Sequence, residues 1–117
     1  PYVPSPLLYG EKVYVFSGNN ATLSCYNAKT GTPYYTKQNL EHIRGVYASP
    51  VGAAGRVYIA GRNGVTYVLD NTSDSLKTLA VNKLDDGFDC SPAVVGDVLY
   101  LKGKKTLYCI QTAVKQQ

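Results

Sequence analysis

The sequence predicts an all-β protein built from repeated antiparallel units, and three observations lead to this fold class. Short segments such as KVYVFS, RVYIAG and VLYLKG alternate along the chain and are rich in β-branched and aromatic residues. No segment carries a sustained apolar stripe with a period of about 3.6 residues, so we expect almost no helix. The chain also repeats itself, because a Ser-Pro pair begins at Ser5, Ser49 and Ser91.

The repeats share more than one anchor. The three Ser-Pro pairs are separated by 44 and 42 residues, and Tyr14, Tyr58 and Tyr100 keep the same separations. A third anchor follows in each repeat, as Cys25-Tyr26-Asn27, Val68-Leu69-Asp70 and Cys109-Ile110-Gln111. A period of about 40 to 45 residues is typical of four-stranded propeller blades. The sequence therefore predicts a partial β-propeller with repeats at 1–47, 48–89 and 90–117.

Turn residues divide each repeat into strands. We place them at 5–9, 12–17, 21–27 and 33–38, then at 49–53, 56–60, 64–70 and 76–82, and finally at 91–95, 97–102 and 105–110. The third repeat has no obvious fourth strand, which gives about two and three-quarter four-stranded antiparallel blades. Closed propellers have about four to eight blades. We therefore expect one propeller segment, the C-terminal part of a longer propeller, whose open edges meet the remaining blades or self-associate.

Composition narrows the function classes. Apolar residues make up 44% of the 117 residues, with 11 Gly and 6 Pro, as in a folded and turn-rich chain. The net charge of +4 comes from scattered Lys and Arg, and the densest basic stretch is the turn from Lys102 to Lys105. A basic stripe interleaved with aromatic residues is missing, which argues against nucleic-acid binding. No apolar run approaches the roughly 20 residues of a membrane-spanning helix.

The positions of the cysteines indicate side chains that pack in the core and do not form a disulfide or a metal site. Cys25 and Cys109 occupy the repeat position of Val68, which favours a compact apolar group. A blade separates them, so a disulfide is not expected, and we predict three buried thiols with Cys90. One histidine, His42, gives no metal-ligand spacing. The Asn-x-Ser/Thr sequences at Asn20 and Asn71 are interpreted as ordinary polar turns in preference to glycan sites.

The stretch LSCYNAKTGTPYY, from Leu23 to Tyr35, resembles the pyrroloquinoline-quinone-like (PQQ-like) propeller repeat. Tyr26, Asn27, Ala28, Thr30 and Gly31 match that repeat, and Tyr35 stands where the family has Trp. The resemblance is nearest to the non-enzymatic branch of outer-membrane barrel-assembly scaffold lipoproteins. It implies a protein-binding or assembly scaffold in the periplasm, at the outer membrane or outside the cell.

Other members of the family are quinoprotein dehydrogenases, which hold a quinone with calcium and often have a vicinal cysteine pair. Here the cysteines are never adjacent and Trp is absent. We therefore expect no enzymatic activity, no cofactor and no metal in this segment. Two alternatives stay open: part of a PQQ-dependent dehydrogenase whose catalytic residues lie outside this chain, and a glycan-binding cell-surface module.

Binding is expected on one face of the blades. Because strands alternate in direction, the inter-blade loops LEHIRGVYA and LDDGFDC share a face with the hairpins SGNN, GRNG and KGK. Long loops near a propeller axis favour a partner site. The candidate partner-binding residues are His42, Arg44, Tyr47, Arg62, Asn63, Asp85, Asp86, Phe88 and Asp89. Arg44 and Asp86 occupy equivalent loop positions, and we favour an ion pair between blades over a ligand contact for them.

Overall fold

The computed structural model describes residues 4–17 and 20–111, and this part of the chain contains strands and turns but no helix. Within the described residues, eleven strands form three antiparallel sheets in chain order. Blade 1 consists of β1 (Leu7–Tyr9), β2 (Lys12–Ser17), β3 (Thr22–Asn27) and β4 (Pro33–Asn39); blade 2 of β5 (Val51–Ala53), β6 (Arg56–Ala60), β7 (Val65–Asp70) and β8 (Thr78–Lys83); blade 3 of β9 (Ala93–Val95), β10 (Val98–Lys102) and β11 (Leu107–Gln111). The predicted all-β, partial propeller is confirmed.

The strand register shows that corresponding repeat positions occupy corresponding places in the three blades. Tyr14 lies opposite Cys25, Tyr58 opposite Val68, and Tyr100 opposite Cys109. The side chains at these positions therefore point to the same face of each sheet, because facing residues in an antiparallel pair share a face. The equivalence of Cys25, Val68 and Cys109 that the repeat predicts is confirmed.

The blades pack face to face through two apolar layers of unequal size. Between blades 1 and 2, Tyr14, Phe16 and Leu23 lie against Val57 and Ile59 in the larger layer. Between blades 2 and 3, the smaller layer contains Ala48, Ala60, Phe88 and Leu101. Successive side chains of a strand point to opposite faces of the sheet, so they pack against the blades on opposite sides.

The innermost strands adjoin one another, with β1 beside β5 and β5 beside β9. The Ser5 amide donates to Ser49 Oγ (3.0 Å), and the Ser49 amide donates to Ser91 Oγ (2.9 Å). Tyr9 covers Gly52 so closely that a Cβ there would lie 2.4 Å from the ring. The repeated Ser-Pro pair is thus a link between blades.

The innermost strands are shorter than predicted. Each begins directly after proline, at Leu7, Val51 and Ala93, so the predicted starts at 5, 49 and 91 were wrong by two residues. Proline has no amide hydrogen to give to the ladder, which explains where pairing begins. The hairpin predicted at SGNN lies partly outside the described residues, at Gly18 and Asn19.

The prediction of three buried thiols was wrong for two of them. Cys25 is buried, whereas Cys90 and Cys109 are exposed. Blade 2 covers the face of blade 1 that carries Cys25, but no described residue forms a sheet over the equivalent face of blade 3. The repeat position fixes the direction of the side chain, and the neighbouring blade determines its burial.

Candidate functional site

Loops between blades and hairpins within blades converge on one side of the molecule. The Arg62 amide donates to Gly45 O (3.0 Å), the Leu84 amide to Gly64 O (3.0 Å) and the Lys104 amide to Gly87 O (3.1 Å). We call residues 40–47, 61–64, 84–89 and 103–106 together the loop face. Its backbone is held by these cross-loop hydrogen bonds, so its side chains have defined positions.

The centre of the loop face depends on a glycine. Gly64 has φ of 89°, in the left-handed region that favours glycine. A Cβ at this position would lie 2.2 Å from Asp86 O and 2.3 Å from Leu84 O. The Asn-Gly hairpin signal in GRNG therefore indicates both a turn and a close approach of two loops.

Three of the predicted residues form one cluster on this face. The Arg62 guanidinium lies over the Tyr47 ring, 3.8 Å from its centroid, and Arg62 Nε donates to Asp89 Oδ1 (2.8 Å). The hydrogen bond to Asp89 raises the pKa of Arg62, so the group stays charged. The side chains of Arg62 and Asp89 are 38% and 33% exposed. Within the described residues the Nη groups of Arg62 make no hydrogen bond, which leaves donors for a partner.

The ion pair expected between Arg44 and Asp86 was wrong. Asp86 lies over the β10–β11 hairpin, where its carboxylate accepts hydrogen bonds from Lys105 N (3.2 Å), Thr106 N (3.1 Å) and Tyr108 Oη (3.3 Å). Burial acts to raise the pKa of Asp86, but these donors and the Gly87 amide outweigh burial and lower it. The hairpin offers backbone donors beside Gly103, so the carboxylate satisfies them instead of reaching Arg44.

Phe88 also has a different role from the predicted one. It is fully buried, and its ring meets that of Tyr108 edge to face, with centroids 5.8 Å apart. A buried ring cannot contact a partner, so Phe88 stabilises the junction of blades 2 and 3. The prediction of Phe88 as a partner contact was wrong.

His42 and Asn63 connect two loops. Asn63 Nδ2 donates to the carbonyl oxygen of His42 (3.0 Å), and Lys83 Nζ donates to that of Asn63 (3.0 Å). His42, Arg44 and Asp85 themselves are exposed. The accessible part of the loop face therefore consists of these exposed residues around the cluster of Tyr47, Arg62 and Asp89.

Lys12 is a residue that the sequence reasoning missed. It lies at the opposite end of the blades and is 7% exposed. Its Nζ donates to Asn71 O (2.7 Å) and Ser73 O (2.6 Å) and lies 3.5 Å from Asp74. Alternation with Tyr14 and Phe16 places Lys12 on the inward face and could have revealed it. This lysine ties the turn after β7 to blade 1.

The described residues offer little reactive chemistry. Burial raises the pKa of the Cys25 thiol, which disfavours its thiolate. Among residues 4–17 and 20–111, no three side chains of His, Cys, Asp or Glu converge on a common metal site. No helix of the described part is long and apolar enough to cross a membrane.

Comparison with known proteins gives a structural likeness only. No protein-family model matches the sequence, and no curated protein matches it. The chain is similar to BamB from Moraxella catarrhalis, with 23% identity and a TM-score of 0.68 over 91% of this chain and 32% of that chain. It is also similar to the computationally designed Ika8 protein, with 13% identity and a TM-score of 0.70 over 92% of this chain and 32% of that chain.

A third similar structure is the computationally designed Ika4 protein, with 12% identity and a TM-score of 0.66 over 92% of this chain and 64% of that chain. The chain thus spans about a third of BamB and of Ika8, at 32% of each. Identities this low support the fold and nothing finer. The chain therefore has the fold of a partial β-propeller, similar to part of BamB.

Proposed function

We propose that the chain is a non-catalytic propeller segment that serves as a protein-binding assembly scaffold through its loop face. The cluster of Tyr47, Arg62 and Asp89 carries this proposal, because it holds a charged guanidinium at the surface in a fixed position. Support also comes from the PQQ-like repeat in LSCYNAKTGTPYY and from the similarity to part of BamB. On the same grounds, its place would be the cell envelope or the extracellular space.

Arginine and tyrosine, together with tryptophan, are enriched among the residues that contribute most of the binding energy of protein interfaces. Stacking on Tyr47 and the bond to Asp89 restrict Arg62 before any partner arrives, so binding costs less side-chain entropy. The Nη groups could then donate to carboxylate or carbonyl oxygens of the partner. The exposed His42, Arg44 and Asp85 would form the polar rim of the interface.

Affinity capture from envelope extracts tests the proposal. We expect the wild-type chain to retain a specific protein and Arg62→Ala to lose it. Arg62→Lys should also weaken retention, because lysine keeps the charge but not the planar stacking. Arg56→Ala is the matched control, since Arg56 is exposed outside the loop face. Recovery of no protein, or equal recovery with Arg62→Ala, would contradict the proposal, provided that each variant melts like the wild type.

A Tyr47→Ala variant addresses the glycan-binding alternative. A sugar ring would stack on a free aromatic face, but the guanidinium of Arg62 already covers one face of Tyr47 at 3.8 Å. Retention on immobilised polysaccharide that is lost with Tyr47→Ala would favour a glycan module over a protein scaffold. Quinone uptake with calcium would instead favour the dehydrogenase alternative.

A further inference from the structure

Charge is distributed unequally between the two ends of the blades. The end opposite the loop face, which we call the turn end, consists of residues 10–12, 28–32, 54–56, 70–77 and 96–97. It holds four cations and four acids, namely Lys12, Lys29, Arg56, Lys77, Glu11, Asp70, Asp74 and Asp97. Ion pairs join Lys12 to Asp74 (3.5 Å), Lys29 to Glu11 (2.7 Å) and Lys77 to Asp70 (4.0 Å). The turn end therefore has no net charge.

The loop face has an excess of cations. Lys83 and Lys102 lie at its border, and their amines reach it, because Lys83 Nζ donates to Asn63 O (3.0 Å) and Lys102 Nζ to Gly103 O (2.7 Å). With them the cations number six against four acids, which leaves an excess of two positive charges; they are Arg44, Arg62, Lys83, Lys102, Lys104 and Lys105 against Glu41, Asp85, Asp86 and Asp89. Apart from Lys37 on β4, this end carries all the excess positive charge of the described residues.

Two of the four acids are already engaged within the chain. Asp89 accepts from Arg62 Nε (2.8 Å), and Asp86 accepts from backbone amides of the β10–β11 hairpin. The exposed side chains of Arg44 and Lys104, in contrast, pair with no carboxylate among residues 4–17 and 20–111. A surface whose acids are satisfied and whose cations are not attracts negatively charged ligands.

The repeat places two of these cations beside one loop. Arg62 and Lys104 hold equivalent positions, because their amides donate to the carbonyl oxygens of Gly45 and Gly87 in the preceding inter-blade loops. A Cβ at Gly87 would lie 2.6 Å from Arg62 O and 3.6 Å from Lys104 Cδ. The two hairpins therefore border residues 84–89 from both sides. This spacing suits a ligand that carries several negative charges along its length.

The aromatic side chains of the loop face favour a peptide over a nucleic acid. Single-stranded nucleic acids bind largely through aromatic rings on which their bases stack. Phe88 is fully buried, and the guanidinium of Arg62 covers one face of Tyr47, 3.8 Å from the ring centroid. Neither ring therefore stands free at the surface.

We propose that the loop face binds an acidic segment of a partner protein, whose carboxylates pair with Arg62, Arg44 and Lys104. The restricted guanidinium of Arg62 offers its Nη groups to one carboxylate as a bidentate donor. Arg44 and Lys104 add attraction that speeds association and selects against basic chains. The class of partner rests on the scaffold function proposed above, whereas the preference for negative charge rests on the distribution of charges alone.

Two labelled peptides test this preference with the full 117-residue chain. One alternates Gly with Glu over about 12 residues, enough to cross the loop face when extended, and the other carries Gln in place of each Glu. Fluorescence anisotropy should detect binding of the Glu peptide only. That binding should weaken as the ionic strength rises from about 0.05 to about 0.2 M, because salt screens exposed charges. Equal affinities for the two peptides, or tighter binding of an oligothymidylate of equal length, would overturn the proposal.

Charge-reversal variants locate the site. The double variant Arg44→Glu, Lys104→Glu should lower the affinity for the Glu peptide about tenfold, because each change replaces an attraction by a repulsion. Lys29→Glu, Arg56→Glu is the matched control, since it changes the net charge equally but at the turn end, and it should lower the affinity less than about twofold. All four side chains are exposed, so both variants should melt like the wild type. Equal losses would show that only the net charge matters and would overturn the proposal.

Affinity capture separates this inference from the proposed function. We expect the Glu peptide, but not the Gln peptide, to release the protein that the wild-type chain retains. Retention that Arg62→Ala abolishes and Arg44→Glu, Lys104→Glu leaves unchanged would support the scaffold function and overturn the acidic partner. Selective binding of the Glu peptide without any captured protein would contradict the scaffold function, while the preference of the loop face for negative charge would stand.

Discussion

Single side chains that accept several hydrogen bonds stabilise the turns of this molecule. Asn27 Oδ1 accepts from Lys29 N (2.9 Å) and Thr30 N (3.1 Å), while its Nδ2 donates to Tyr34 Oη (2.9 Å). Asn readily bonds to backbone groups a few residues ahead, which suits it to this turn. Asp70 holds the same repeat position and accepts from Thr72 N (2.8 Å). In blades 1 and 2 this position therefore holds a short side chain whose oxygen accepts backbone hydrogen bonds.

Asp86 makes stability depend on acidity. Its folded-state pKa lies below the ordinary value, so its contribution is present above the unfolded pKa and is lost as the pH falls through the folded pKa. We expect Asp86→Asn to lower the free energy of unfolding at pH 7 and to flatten its decline in acid.

Urea titrations from pH 7 to about pH 2 measure this decline. Asp85→Asn is the matched control, because the adjacent carboxylate is exposed and accepts no hydrogen bond from the described residues. If the free energy of unfolding of Asp86→Asn fell in acid as steeply as that of the wild type, the hydrogen bonds at the β10–β11 hairpin would not account for the pH dependence.

At the level of elements, the β6–β7 hairpin depends on a glycine that two loops enclose. In Gly64→Ala the alanine would need a left-handed backbone conformation. Its Cβ would also lie 2.2 and 2.3 Å from two carbonyl oxygens. We expect a loss of about 3 kcal/mol or more in the free energy of unfolding, and weaker binding at the loop face.

Gly31→Ala separates the two causes of that loss. Gly31 also has positive φ, at 76°, but nothing lies within 4 Å of the Cβ that an alanine would place there. Conformational strain alone should cost about 1 kcal/mol. Chemical denaturation of both variants checks the difference, and equal losses would mean that the contact with residues 84–86 can relax.

Local pattern was sufficient for the strands but not for contacts between elements. Alternation and turn residues predicted eleven strands in the observed order, and alternate strand direction predicted which loops meet. The partner of Asp86 could not be predicted, because it depends on how closely Gly103 approaches the loop. The exposure of Cys109 depends on a neighbouring blade, which no pattern within the strand reports.

For the whole molecule, unequal junctions imply unequal local stability. The layer between blades 1 and 2 contains thirteen buried residues of the described chain, whereas that between blades 2 and 3 contains four. We expect β9–β11 to open without global unfolding, because regions with few buried apolar contacts open most easily.

Native-state hydrogen exchange measures these openings. Amides of β10 should exchange at a lower opening free energy than the equivalent amides of β2 and β6. Identical protection in the three central strands would mean that the small layer is as strong as the large one.

The serine links give the molecule a polarity. Each bond runs from the amide of one repeat to the hydroxyl of the next, from Ser5 to Ser49 and from Ser49 to Ser91. The two ends of this series differ. The Ser91 amide could donate to a following blade, and the Ser5 hydroxyl could accept from a preceding one. A blade joined after blade 3 would need a hydroxyl in this position, and a blade joined before blade 1 would need a free amide. The links thus have one direction along the chain, with the amide donor in the earlier blade and the hydroxyl acceptor in the later one.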